Sequence, residues 1–137
     1  MATYVTHLEC SISGETYPAG QIHGLSKAGR PLLVRYDLER MKQEVTPDQI
    51  AGSTANGFWR YAPMLPVTKL ASRISLGEVV TPLIPLTSSA AMLGGVSGKI
   101  IIKDEGRLPT GSFKARGLAL AVSMAHEFGL KHLAIPT

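Results

Sequence analysis

A single cysteine, Cys10, stands in the whole chain, which excludes an internal disulfide and fits a reducing, cytoplasmic setting. Charge is also scarce. Charged residues make up 18% of the 137, against roughly 25% in ordinary soluble domains, so part of this surface is expected to be covered. The 14 basic residues outnumber the 10 acidic ones for a formal charge of +4. They lie scattered between Lys27 and Lys131 with no run among them, which argues against a nucleic-acid partner. The N-terminus lacks the basic and apolar regions of a secretory signal. Val79 to Gly98 is uncharged, but Pro82, Pro85, the Gly94-Gly95 pair and several Ser and Thr spoil it as a membrane helix. The expectation is a soluble, cytoplasmic protein with no membrane partner.

What is present is an ordinary core-forming composition, 45% hydrophobic, with 14 Gly and 9 Pro marking many turns. Residues 1–36 are turn-rich and end in the strand-like Leu32-Leu33-Val34-Arg35-Tyr36, which predicts a small hairpin-rich unit. Asp37 is placed to cap a helix over Leu38 to Glu44, and Thr46-Pro47-Asp48 marks a second start. Ser53 to Gly57 reads as a polar loop, Phe58-Trp59-Arg60-Tyr61 as a core anchor, and Ala62 to Val67 as extended chain. From Lys99 the pattern is strand Lys99–Lys103, loop, helix Ser112–Phe128 closed by Gly129, and strand Leu133-Ala134-Ile135. That is a βαβ unit, so the fold class is α/β with a parallel sheet. The small apolar body of the helix implies burial on most sides. The chain reaches Pro136-Thr137 just after a strand, where such folds place a ligand-binding turn.

The stretch from Lys103 to Gly117 carries the most chemistry. Thr110 or Ser112 can cap the helix, which puts Lys114 near the positive end of the helix dipole, where a cation is disfavoured. An amine so placed can form a Schiff base. The ordinary alternative is a surface lysine in a first turn. A phosphate-binding P-loop is excluded, because Gly106-x-x-x-x-Gly111 is followed by Ser112 where that motif needs lysine. Gly94-Gly95-Val96-Ser97-Gly98 precedes its strand, so it fails as a dinucleotide fingerprint.

Pro109-Thr110-Gly111-Ser112-Phe113-Lys114 with Arg116-Gly117 closely resembles the lysine motif of fold-type II pyridoxal-phosphate enzymes, the tryptophan synthase beta-like family, and within it the threonine synthase family. Trp59-Arg60-Tyr61, Leu65-Pro66-Val67, Ser75-Leu76-Gly77-Glu78 and Thr81-Pro82-Leu83 stand in the family's order, as do Leu8-Glu9-Cys10, Tyr17-Pro18 and Arg30 to Asp37. The resemblance implies that Lys114 holds pyridoxal 5'-phosphate as an internal aldimine and then acts as the mobile acid and base, with Ser112 and Phe113 setting its position. It implies conversion of O-phospho-L-homoserine and water to L-threonine and phosphate, by a carbon–oxygen lyase of threonine biosynthesis. Glu105 and Arg116 are candidates to support the site, and a structural ion pair explains them equally well. Glu78 and Thr81 lie on a segment that approaches the active site in the family, with turn or packing roles as the plainer alternative.

The chain departs from the family in three ways. Many relatives open on a zinc ribbon with two cysteine pairs, whereas here Cys10 is followed by Ser13, and the later turn carries Ser26 and Ala28. One thiol cannot make a four-ligand site, so residues 1–36 are expected to be a degenerate zinc-ribbon-like segment with no metal, and residues 37–137 the N-terminal portion of the catalytic domain. His7 and His23 read as loop histidines. Val79 and Ala115 replace residues common in the family, which weakens the case for a particular substrate more than for the cofactor. Finally, the family's cofactor-phosphate loop would lie beyond Thr137, so the chain is expected to be an incomplete, inactive fragment. Threonine dehydratase, cysteate synthase or a cysteine-synthase-like enzyme is the alternative within the class. A non-catalytic interaction module is the alternative outside it, and a homodimer of the full-length form is left open.

Overall fold

The computed structural model describes residues 3–55, 57–86 and 99–135. The expectations for Asn56, for Thr87 to Gly98 with its Gly94–Gly98 cluster, and for Pro136-Thr137 fall outside them. Three strands, β1 (Val5–Cys10), β2 (Thr16–Pro18) and β3 (Leu32–Tyr36), form an antiparallel sheet in the order β2-β1-β3. Gly14 occupies the left-handed region in the turn after β1, and its N–H bonds the Cys10 carbonyl at 3.2 Å, which reverses the chain into β2. Glu9 on β1 and Arg35 on β3 form a cross-strand ion pair at 2.6 Å.

The two predicted helix starts occur as expected. Asp37 accepts the Arg40 N–H at 3.0 Å and opens α1 (Leu38–Glu44). Thr46 and Gln49 make a reciprocal capping box with Pro47 in the first turn of α2 (Pro47–Ala51). Helix α1 is stitched to the first sheet: the Tyr4 hydroxyl donates to Glu44 at 2.9 Å, and the Arg40 guanidinium lies 4.7 Å from the centre of the Tyr4 ring.

The chain then tightens into a 3-10 helix over Gly57–Met64, where extended chain is expected from Ala62. Trp59, Ala62 and Val67 form the buried centre, packed by Phe58, Leu65, Leu120 and Met124. Putting Trp59 and Ala62, three positions apart, on one side requires a helical turn, which is why the extended reading fails. The indole N–H donates to the Ile74 carbonyl at 3.0 Å, and the Ile74 N–H donates to the fully buried Ser123 Oγ at 2.9 Å.

A second antiparallel pair joins β4 (Leu83–Leu86) to β5 (Ile100–Lys103), followed by the long helix α3 (Lys114–Glu127). The parallel pairing expected of a βαβ unit is not found among the described residues, where both sheets are antiparallel. Leu133-Ala134-Ile135 has no strand assignment, because a strand exists only where a neighbour takes its backbone groups. Nor is α3 buried on most sides. Ala115, Ala119 and Ser123, at four-residue spacing, turn inward with Ala125, while Gly117 and Ala121 are exposed.

Helix α3 ends at Gly129 as expected. The Leu130 N–H bonds the Ala125 carbonyl at 2.9 Å and the Gly129 N–H bonds that of His126 at 3.0 Å, a Schellman closure. Leu83, Ile84, Ile101 and Ile102 leave both faces of the second sheet largely exposed. Among the described residues no helix is long and apolar enough to cross a membrane.

Candidate active site

The candidate site grows from the end of β5. Asp104 donates its N–H to the Pro82 carbonyl at 3.0 Å and caps a 3-10 turn, Glu105–Arg107, by accepting the Gly106 N–H at 3.1 Å. Leu108 is buried and anchors the loop, and the Gly111 N–H closes a turn on its carbonyl at 2.7 Å. The chain then emerges: Phe113 is 71% exposed and Lys114, the first residue of α3, is exposed beside it. Ala115 turns back inside.

Sequence reasoning expects Thr110 or Ser112 to cap the helix, but neither makes a regular cap. Phe113 holds the N-cap position with no side-chain cap bond, and the Thr110 hydroxyl donates to the Ser112 carbonyl at 3.3 Å. Ser112 Oγ accepts the Lys114 N–H at 3.3 Å, so Ser112 touches the backbone of the predicted lysine. The helix begins two residues later than expected, because the Leu108–Gly111 turn uses the preceding chain.

Behind the lysine lies a knot of charge. Arg116 grips Glu105 with Nε to Oε2 at 2.7 Å and Nη2 to Oε1 at 3.2 Å. The same Nη2 donates to Thr81 Oγ1 at 3.3 Å and to the Val79 carbonyl at 3.2 Å. The Thr81 hydroxyl donates to Glu105 at 2.6 Å, and Lys103 donates to both Thr81 and Glu105. The paired Arg116 guanidinium holds the Glu105 carboxyl well below the usual carboxylate range, helped by Lys103 and Thr81.

Glu78 sits next in the chain, 4% exposed. Burial works to raise its carboxyl, but the Ser75 hydroxyl, its own N–H and that of Leu76, with the Arg116 charge, outweigh burial and lower it. Glu105, Arg116 and Thr81, singled out separately in the sequence, thus meet in one network. Lys103 and the Val79 carbonyl were not anticipated. The only sequence signal for Lys103 is a cation ending an apolar strand two residues before Glu105.

Relatives in several organisms match this chain. The proteins from Methanocaldococcus jannaschii and Methanosarcina acetivorans are 34% identical over 122 residues and 33% identical over 129 residues, covering 89% and 93% of this chain. One from Halalkalibacterium halodurans is 46% identical over 69 residues, half of the chain. All three are threonine synthases.

This chain is a relative of the threonine synthases. It spans 29%, 30% and 19% of the length of those three proteins. No family model and no solved structure matches it.

In the first sheet, the turn after β1 and the Ser26–Gly29 turn before β3 face each other. The Cys10 thiol donates to Ser26 Oγ at 3.1 Å, and the Ser13 N–H donates to Cys10 Sγ at 3.4 Å. The Ser13 and Ser26 side chains, with the Ser13 and Ile12 N–H groups, favour the thiolate and bring the pKa of the buried Cys10 thiol down to about 6. His7 lies 3.8 Å from Glu9, and His23 bonds the Pro18 carbonyl at 2.8 Å. Among the described residues no three His, Cys, Asp or Glu side chains converge as a metal site.

Proposed function

We propose that this chain is part of a threonine synthase that converts O-phospho-L-homoserine and water to L-threonine and phosphate, with pyridoxal 5'-phosphate attached through Lys114. One observation carries the reading: Lys114 stands exposed at the first turn of α3, two residues before the arginine of the Glu105–Arg116 knot. Its amine enters none of the ion pairs found among the described residues. Such an amine fits the attachment of an aldehyde. Phe113 and Ser112 flank it, one as an exposed aromatic face and the other on its backbone N–H.

The cofactor, when bound, supplies an electron sink for carbanions. The contribution of this chain is different. Lys114 would hold the group, and its Nζ would take protons from the substrate Cα and Cβ and return protons at Cγ and Cα, while the Cγ–O bond to phosphate breaks and water adds at Cβ. Ser112 accepts the Lys114 N–H, and Phe113 stands beside the lysine as an exposed aromatic side chain.

Residues 1–36 serve in this reading as a metal-free ribbon-like segment, and residues 37–137 as part of the catalytic domain. The chain's share of its relatives' length supports a larger whole.

The test is to incubate the full-length protein with cofactor and O-phosphohomoserine and to assay threonine and phosphate together. Equal release of both supports the synthase. Formation of 2-oxobutyrate from added threonine as the main activity identifies a dehydratase instead. Borohydride reduction followed by peptide mapping places the pyridoxyl label on Lys114; a label on Lys103 overturns the assignment.

A further inference from the structure

We infer that Arg116 is a positioning residue for Lys114, acting from the far side of the same helical turn through Glu105 and Thr81. The inference rests on the proposed attachment of the cofactor at Lys114. Residues two apart in a helix point about 200° away from each other. Accordingly Lys114 is exposed while the Arg116 side chain is 21% exposed and turned into the knot.

Little else holds the start of α3. Its N-cap residue, Phe113, makes no side-chain cap bond, and Ala115 presents only a methyl group to the interior. The Ser112 bond to the Lys114 N–H is long, at 3.3 Å. Arg116, by contrast, reaches three places at once: the Val79 carbonyl, Thr81 ahead of β4, and Glu105 after β5. A guanidinium held to a carboxylate by two bonds fixes direction as well as distance, which a lysine at the same position cannot do.

The knot also separates positioning from simple stability. Lys103 and Thr81 donate to Glu105 independently of Arg116. Shortening Arg116 to lysine therefore leaves Glu105 paired, with no orphaned buried charge to unfold the loop. What is lost is the fixed direction of the turn. For an amine that moves protons at a substrate carbon, a displacement of about 1 Å costs about 100-fold in rate.

The experiment compares full-length protein with its Arg116→Lys variant. Each is reacted with pyridoxal 5'-phosphate, reduced with borohydride and mapped, with Lys27 and Lys131 as internal references. The expected result is that Lys114 labelling falls about tenfold against those lysines, while kcat falls by one to two orders of magnitude (roughly) and KM for O-phosphohomoserine stays within about twofold. Unchanged labelling and unchanged kcat overturn the inference.

If Arg116→Lys accumulates unfolded, Thr81→Val removes the hydroxyl that bonds Glu105, Lys103 and Arg116 and leaves the Glu105–Arg116 ion pair. About a threefold fall in Lys114 labelling then supports positioning, and no fall overturns it. Absence of label at Lys114 in the unsubstituted protein overturns the attachment reading itself and the inference with it, so the two failures are distinguishable.

Discussion

A Cβ atom placed on Gly57 would lie 1.3 Å from the carbonyl oxygen of Glu78. Gly57 also has φ of +66°, in the left-handed region. The 3-10 helix that carries Trp59 therefore starts with its backbone pressed against the Ser75–Glu78 turn, and this contact connects the core to the segment that leads into Thr81 and the Glu105–Arg116 knot. No side chain fits between them.

The Gly57→Ala variant is accordingly expected to lose about 3 kcal/mol, from the clash with backbone together with the unfavourable φ. Urea unfolding reads it directly. A midpoint equal to that of the parent would show that the close approach does not exist. Gly129→Ala makes the control, since Gly129 shares a positive φ of 74° but has nothing within 4 Å of its Cβ position. Only the backbone term remains there, at about 1 kcal/mol.

Removing the Ser123 hydroxyl should cost about 1–3 kcal/mol, because the Ile74 N–H loses its acceptor in a buried site. Ser123→Ala raises the helix propensity of α3, so any loss measured by thermal unfolding reports the hydrogen bond. A variant as stable as the parent would mean that Ile74 finds another partner.

Glu105 has its folded value lowered from the ordinary 4.5. The folded state thus holds fewer protons on this group than the unfolded chain as the pH falls. Its contribution to stability is complete above about pH 4.5 and is lost as the pH drops below that value toward the lowered folded one. Urea midpoints measured from pH 6 downward, on the order of one pH unit apart, should decline more steeply in the parent than in Glu105→Gln. Parallel declines would show that Arg116 and Lys103 do not favour the ionised form.

Metal analysis of the purified protein after mild chelation is expected to find no stoichiometric zinc. Cys10 offers one thiolate, and its neighbours at the two facing turns are Ser13 and Ser26. A tightly held equivalent of zinc, lost in Cys10→Ser, would overturn this prediction.

Local chemistry made much of the molecule legible in the sequence. Asp37, Thr46 and Gly129 act through backbone groups within a few residues of themselves, so the starts of α1 and α2 and the C-terminal end of α3 follow from residue type and spacing. The motif around Lys114 is likewise contiguous, and the relationship to threonine synthases follows from it and from the ordered segments upstream. The rest depends on partners distant in the chain. Only tertiary structure could show that Leu133-Ala134-Ile135 lacks a described strand neighbour, that Trp59 and Ala62 share a 3-10 turn, or that α3 buries one face. The same holds for Glu105, Arg116, Thr81 and Lys103. Each is an ordinary polar residue in the sequence, and a hydrogen bond requires atoms within about 3 Å, a distance that the folding of β4, β5 and α3 against one another decides.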